Sequence, residues 1–131
     1  MNYKNLFEKF NEGGKLLLKD ATVTFDAIPW SKHPTFEGME LKHIITSERT
    51  GEQFSYHLVR IAPNKKIGSH IHEKQLETHE VISGTGVCVN DGVELPYETG
   101  VISIFPISVP HEVIAGDDGL CLFAKFMPAL C

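Results

Sequence analysis

Apolar positions along this chain keep two different periods. Leu6, Phe7 and Phe10 fall at helical spacing within residues 2–11, and Gly13-Gly14 follows as a stop, which predicts a short amphipathic helix or a packing arm. LLLKD and ATVTFDAI then indicate one or two strands leading to a loop at Pro29-Trp30, and Ser31 to Gly38 reads as loop. MELKHIIT and QFSYHLVRIA, rich in β-branched and aromatic residues, predict two strands joined by the polar turn SERTGE. Beyond Pro63 come IGSHIH, THEVISG, GVCVN, Val93 to Tyr97, VISIF, HEVIA and LCLFAKFM. Turns are predicted at Gly84–Gly86, at Asn90-Asp91-Gly92, at Gly100, over Pro106 to Pro110, and over Gly116-Asp117-Asp118-Gly119. So many short strands with frequent turn signals predict an all-β antiparallel sandwich or barrel, with residues 1–40 as arm and loop and 41–131 as the barrel.

A chain of 131 residues with 42% hydrophobic and 22% charged content is expected to form one globular domain. A net charge of −5 argues against nucleic acid or an anionic membrane as partner. Nothing has the length of a membrane span or a signal segment. Cys88, Cys121 and Cys131 form neither a disulfide framework nor a C-x-x-C pair, so a reducing cytoplasm is the expected location.

Six of the seven histidines lie between 43 and 111. His70 and His72 are two apart and share a face if the segment is a strand; Glu77 and His79 do the same on the next, after the polar step Glu73-Lys74-Gln75. These side chains can converge on one interior point. Imidazole nitrogen with carboxylate oxygen suits Mn, Fe, Co, Ni, Cu or Zn rather than Ca or Mg. The stretch is not an H-E-x-x-H motif, since neither His-Glu pair has its second histidine. In QFSYHLVRIA, His57 shares a side with Ser55, Val59 and Ile61, while Tyr56 shares the other with Phe54, Leu58 and Arg60. Parity does not say which set lines the barrel. If Tyr56 and Arg60 point inward, they can bind an anionic or hydroxylated substrate.

Together these residues resemble the cupin family. Its first motif, G-x5-H-x-H-x3,4-E-x6-G, is matched by His70, His72, Glu77 and Gly84, with Asn64 in place of the leading glycine. Its second, G-x5-P-x-G-x2-H-x3-N, is matched by Gly100, Pro106 and His111, with Ser108 for the inner glycine and Ala115 for the asparagine. The resemblance implies a double-stranded β-helix (jelly roll) barrel in a single domain. It also implies that His70, His72, Glu77 and His111 hold one divalent transition metal (Fe, Mn, Ni, Cu or Zn), with positions left for substrate.

On this reading the candidate catalytic residues are His79 and Tyr56. His79 is open to four roles: a fifth ligand, a general acid or base, a partner that orients a ligand, or a hydrogen-bonded core histidine. The loop carrying Trp30, His33 and Phe36 can cover the barrel opening, with ordinary packing as its expected role. The function expected is a metal-dependent monocupin enzyme acting on a small polar molecule, by isomerase- or lyase-type proton transfer or as a dioxygenase. The alternative is a non-catalytic small-molecule binding or sensor cupin. Family habit and the apolar N-terminal segment point to a homodimer.

Overall fold

The computed structural model describes residues 4–131. Helix α1 (Lys4–Gly13) is followed by a small hairpin, β1 (Lys15–Leu17) with β2 (Thr22–Thr24). A short β3 (Ser31–Lys32) leads into β4 (Met39–Ile45), and a single helical turn α2 (Ser47–Thr50) connects it to β5 (Ser55–Ile61). The rest is strand: β6 (Lys66–His70), β7 (Leu76–Asn90), β8 (Val93–Glu98), β9 (Ile102–Phe105) and β10 (His111–Met127). Among the described residues no helix is long and apolar enough to cross a membrane.

Two strands are long enough to belong to two layers. The end of β10 from Leu120 to Phe126 pairs with β5 and with the start of β7, whereas its beginning, His111 to Ala115, pairs with β6 and the end of β7. β7 in turn pairs β9 through Glu77–Glu80 and β8 through Thr85–Asn90. The result is an antiparallel double-sheet barrel whose layers share β7 and β10.

Two predicted turns are bends inside these strands. Gly84 and Gly86 do not reverse the chain, nor does Gly116–Gly119; register between β10 and β7 shifts from Ala115↔Gly86 to Leu120↔Gly84, leaving the extra residues as a bulge. Gly84 has φ +82° and Gly119 φ +77°, and a Cβ on Gly84 would run into the Gly119 carbonyl oxygen. Glycine is required there for close backbone approach, not for reversal.

Both faces of the larger layer are covered. Inside the barrel pack Met39, Leu41, Val59, Ile61, Val113, Leu122 and Phe126 with their neighbours. Outside it, Leu58, Ile82, Ile44 and Phe123 lie under α1, whose Phe10 meets Phe123 edge-on at 5.0 Å between centroids. This settles the parity of β5: Ser55, His57, Val59 and Ile61 face inward, and Tyr56, Leu58 and Arg60 face the helix layer or its rim. Arg60 is therefore not a pocket residue; its guanidinium donates to Glu40 Oε1 at 3.1 Å and lies over Trp30 at 4.0 Å.

His57 is fully buried, hydrogen-bonded to Ser55 Oγ and His43 Nδ1, both at 2.8 Å. Burial, and then the neighbouring His43, push its pKa down to about 4 from the usual 6.5. The folded state thus holds this ring neutral where the unfolded chain already protonates it. Its contribution to stability is complete above pH 6.5 and is lost as pH falls towards 4, about 3 kcal/mol in all. Denaturant unfolding of chelator-treated protein from pH 7 to 4 should give a shallower loss for His57→Gln than for the parent. Parallel pH profiles would contradict the assignment.

Candidate metal centre

Strand pairing assembles the centre. His70, the last residue of β6, stands opposite His111, the first of β10, and their rings lie 4.3 Å apart. His72 lies just past β6 rather than in it, so the predicted strand over IGSHIH ends two residues early; its carbonyl accepts from Ser108 N–H at 2.9 Å, which holds the loop in place. Glu77 enters from β7 between Phe126 and Phe105 on the flanking strands. The donor atoms of His70, His72, Glu77 and His111 all lie within 4.8 Å of one another.

Glu77 Oε1 is 3.0 Å from His111 Nε2 and 3.3 Å from His72 Nε2. All three atoms are buried, and none is aligned with a hydrogen-bond partner. Buried polar atoms are almost always paired, so three orphans side by side mark a shared missing partner. Close approach without alignment is the pattern of donors aimed at a common point between them. The tautomers agree: His70 Nδ1–H donates to Gly68 O at 2.7 Å and His111 Nδ1–H to Val109 O at 3.2 Å, leaving each Nε2 lone pair for an ion. Burial drives the Glu77 carboxyl upward, but His79, His111 and His72 together outweigh it and hold it well below the usual range. An ionised carboxylate with neutral imidazoles fits a divalent transition metal.

His79 stands behind Glu77. Its Nε2–H donates to Glu77 Oε2 at 2.8 Å, and its Nδ1 accepts from Tyr97 Oη–H at 2.9 Å. Ser103 Oγ continues the chain to Tyr97. With both nitrogens engaged, the geometry matches the ligand-orienting role among those left open above. Tyr56 does not join the cluster: it stacks on Phe123 under the helix layer, with its hydroxyl donating to Glu80 Oε2 at 3.0 Å. Lys125 is on the same outer side, over Phe54.

A cavity of about 100 Å³ opens over the ligands, walled by Met39, Leu41, Ile67, Phe126 and Leu130, with His33 and His79 as further polar side chains. Among the described residues no lysine or arginine lines it. His33, which sequence reasoning left to packing, was findable only through its loop. Its Nδ1 accepts the N–H groups of Thr35 and Phe36 at 3.0 and 3.1 Å, its ring stacks on Phe36, and Phe36 packs on His70. Burial lowers its pKa, so the neutral ring carries its proton on Nε2.

A double-sheet barrel with three histidines and a glutamate on this strand arrangement defines a cupin. The chain matches the Cupin domain family model over residues 57–124, just over half its length, and belongs to that family. Its fold is similar to a predicted oxalate decarboxylase from Thermotoga maritima (TM-score 0.73, 19% identity, covering 79% of this chain and 95% of that one). It is also similar to the polyketide cyclase RemF from Streptomyces resistomycificus (TM-score 0.70, 19% identity, 86% and 80% covered). A third likeness is to a cupin-superfamily sugar phosphate isomerase from Silicibacter pomeroyi (TM-score 0.67, 23% identity, 80% and 74% covered). No curated protein sequence matches.

Tyr56→Phe removes one hydrogen bond to a carboxylate outside the barrel. It should lower stability by about 1–2 kcal/mol in denaturant unfolding and leave metal stoichiometry unchanged. A loss of bound metal would place Tyr56 in the site after all.

Proposed function

We propose that this chain is a mononuclear metal-dependent cupin enzyme of the isomerase or lyase type, acting on a small molecule that presents an oxygen to the ion. The observation that carries the metal is the trio of buried, unpartnered atoms His72 Nε2, Glu77 Oε1 and His111 Nε2. With His70 they would hold one divalent transition metal, which when bound supplies Lewis-acid polarisation of a substrate oxygen. His79 positions Glu77 through its Oε2 and is itself held by Tyr97. His33 is the catalytic group on the open side: a neutral ring offering Nε2–H to a substrate oxygen, able to stabilise negative charge that develops there. Such charge develops on the carbonyl oxygen when water takes a proton from the neighbouring carbon, the electron pair of the C–H bond passing into the enolate; return of a proton at the other carbon, or loss of a leaving group, completes isomerisation or elimination.

The cavity restricts the substrate. At about 100 Å³ it admits a few non-hydrogen atoms beside the ion, and among the described residues its walls are apolar without a cationic side chain. That favours a small hydroxy- or oxo-compound and disfavours phosphorylated sugars, which need fixed positive partners. Fold neighbours named for an isomerase and a cyclase fit the reaction class. The free thiols Cys88, Cys121 and Cys131 support a cytoplasmic setting, and the exposed Val93, Ile102 and Ile104 on the outer face of β8 and β9 support a homodimer.

Elemental analysis of the untagged protein should find an equivalent of Fe, Mn, Ni, Cu or Zn that is lost in both His72→Ala and His111→Ala, whatever else the chain binds. His33→Ala should keep that equivalent and lower kcat/KM by roughly 100-fold or more on any small hydroxy- or oxo-compound turned over. No His72-dependent metal, even after reconstitution, would leave a small-molecule binding module. Substrate-dependent oxygen uptake would make the protein a dioxygenase instead.

A further inference from the structure

A second group of ligand-type side chains lies outside this centre. His43 and His57 stand opposite each other on β4 and β5, with their Nδ1 atoms 2.8 Å apart. Cys131 Sγ lies 3.7 Å from His43 Nδ1, and the three donor atoms are all within 4.8 Å of one another. The thiol is not there by looseness of the chain. Ser47 N–H donates to Cys131 O at 2.7 Å, Leu130 N–H to Ser55 Oγ at 2.8 Å, and Ala129 N–H to Glu52 O at 3.1 Å. Gln75 adds a further bond to Ala129 O at 3.0 Å. Segment 128–131 is therefore stapled across the α2 turn and β5, holding the sulfur beside the two rings.

We propose that His43, His57 and Cys131 form a second metal site, for a borderline or soft divalent ion such as Zn²⁺. Two neutral imidazoles and a thiolate are a donor set such ions prefer. A tetrahedral ion with ordinary bond lengths needs about 3.4 Å between two nitrogens and about 3.6 Å between nitrogen and sulfur. The observed 2.8 and 3.7 Å require the rings to part by roughly half an ångström. Ser55 Oγ, 2.8 Å from His57 Nε2, is placed to accept Nε2–H and so leave Nδ1 to the ion. On binding, each ring keeps one proton on its nitrogen away from the ion, and the thiol proton leaves to solvent. His57 is fully buried, His43 partly so and Cys131 exposed, so the ion enters from the thiol side and water completes its shell.

The second centre is separate from the first yet close to it. Phe126 packs edge-on against both His57, at 5.6 Å, and His72, at 5.1 Å. Leu130, next to the thiol residue, also walls the first cavity. An ion on Cys131 therefore fixes one wall of that cavity.

Only the second site has a thiol among its ligands, which makes the two separable in one titration. Anaerobic addition of Co²⁺ to untagged, metal-free protein, with a non-thiol reductant, should reveal a sulfur-to-cobalt charge-transfer band that saturates at one equivalent. Cys131→Ser should abolish the band and one equivalent of Co²⁺ while keeping the His72-dependent equivalent. His43→Ala should weaken the band's apparent affinity at least tenfold. His72→Ala should retain the band, so loss of the first centre is read independently. Absence of the band at saturating Co²⁺, or a band that survives Cys131→Ser and so comes from Cys88 or Cys121, overturns the proposal.

Discussion

A carboxylate buried inside an apolar barrel is the constraint on which the rest of this structure depends. Glu77 is 5% exposed and ionised, in a place where an isolated charge would cost many kcal/mol. The fold offsets that cost on both oxygens. Oε2 takes the N–H of His79, which Tyr97 and Ser103 hold in turn, while Oε1 is left facing His72 and His111 without an aligned donor. One oxygen is settled by the protein alone; the other stands where a cation could satisfy it. Strand pairing makes this arrangement rigid, because His70 and His111 are register partners and Glu77 is clamped between two paired strands.

Much of this was legible beforehand, because two-residue spacing is the natural period of a strand. His70-x-His72 and Glu77-x-His79 place chemistry on one side of the backbone wherever the strands pair, even though His72 proves to sit just beyond its strand. The inward face of β5 was not legible, and the reason is physical. Alternation marks a face only when the opposite face is wet, and here α1 covers the outer side, so Leu58 and Val59 are buried equally. With the contrast erased, Tyr56 looked as eligible for the pocket as His57. The bends at Gly84–Gly86 and Gly116–Gly119 misled for a related reason: glycine signals unusual backbone, and a bulge uses it as readily as a turn.

His33, expected only to pack in its loop, and His43, which no motif singled out, are both defined by something far away in the chain. His33 becomes a cavity residue because Phe36 folds its loop onto His70, and its tautomer is fixed by two local amides. His43 meets His57 only through the β4–β5 register, and Cys131 reaches them because four hydrogen bonds tie residues 129–131 down. Neither arrangement has a spacing of its own; each is a product of pairing.

The walls of the cavity carry a further consequence. Substrate recognition elsewhere on a protein surface usually rests on several polar side chains, whereas here, with His79 engaged by Glu77 and Tyr97, His33 and the coordination positions of the proposed ion are what the centre would offer a polar group. On the proposed function, orientation would come from metal coordination, with the apolar walls of Met39, Leu41, Ile67 and Phe126 selecting by shape. A pocket that discriminates by shape separates compounds differing by one methylene only about 10- to 200-fold, but rejects larger ones outright. On the proposed function, selectivity in this barrel would lie in how much can fit beside the ion and in whether it brings an oxygen to His33.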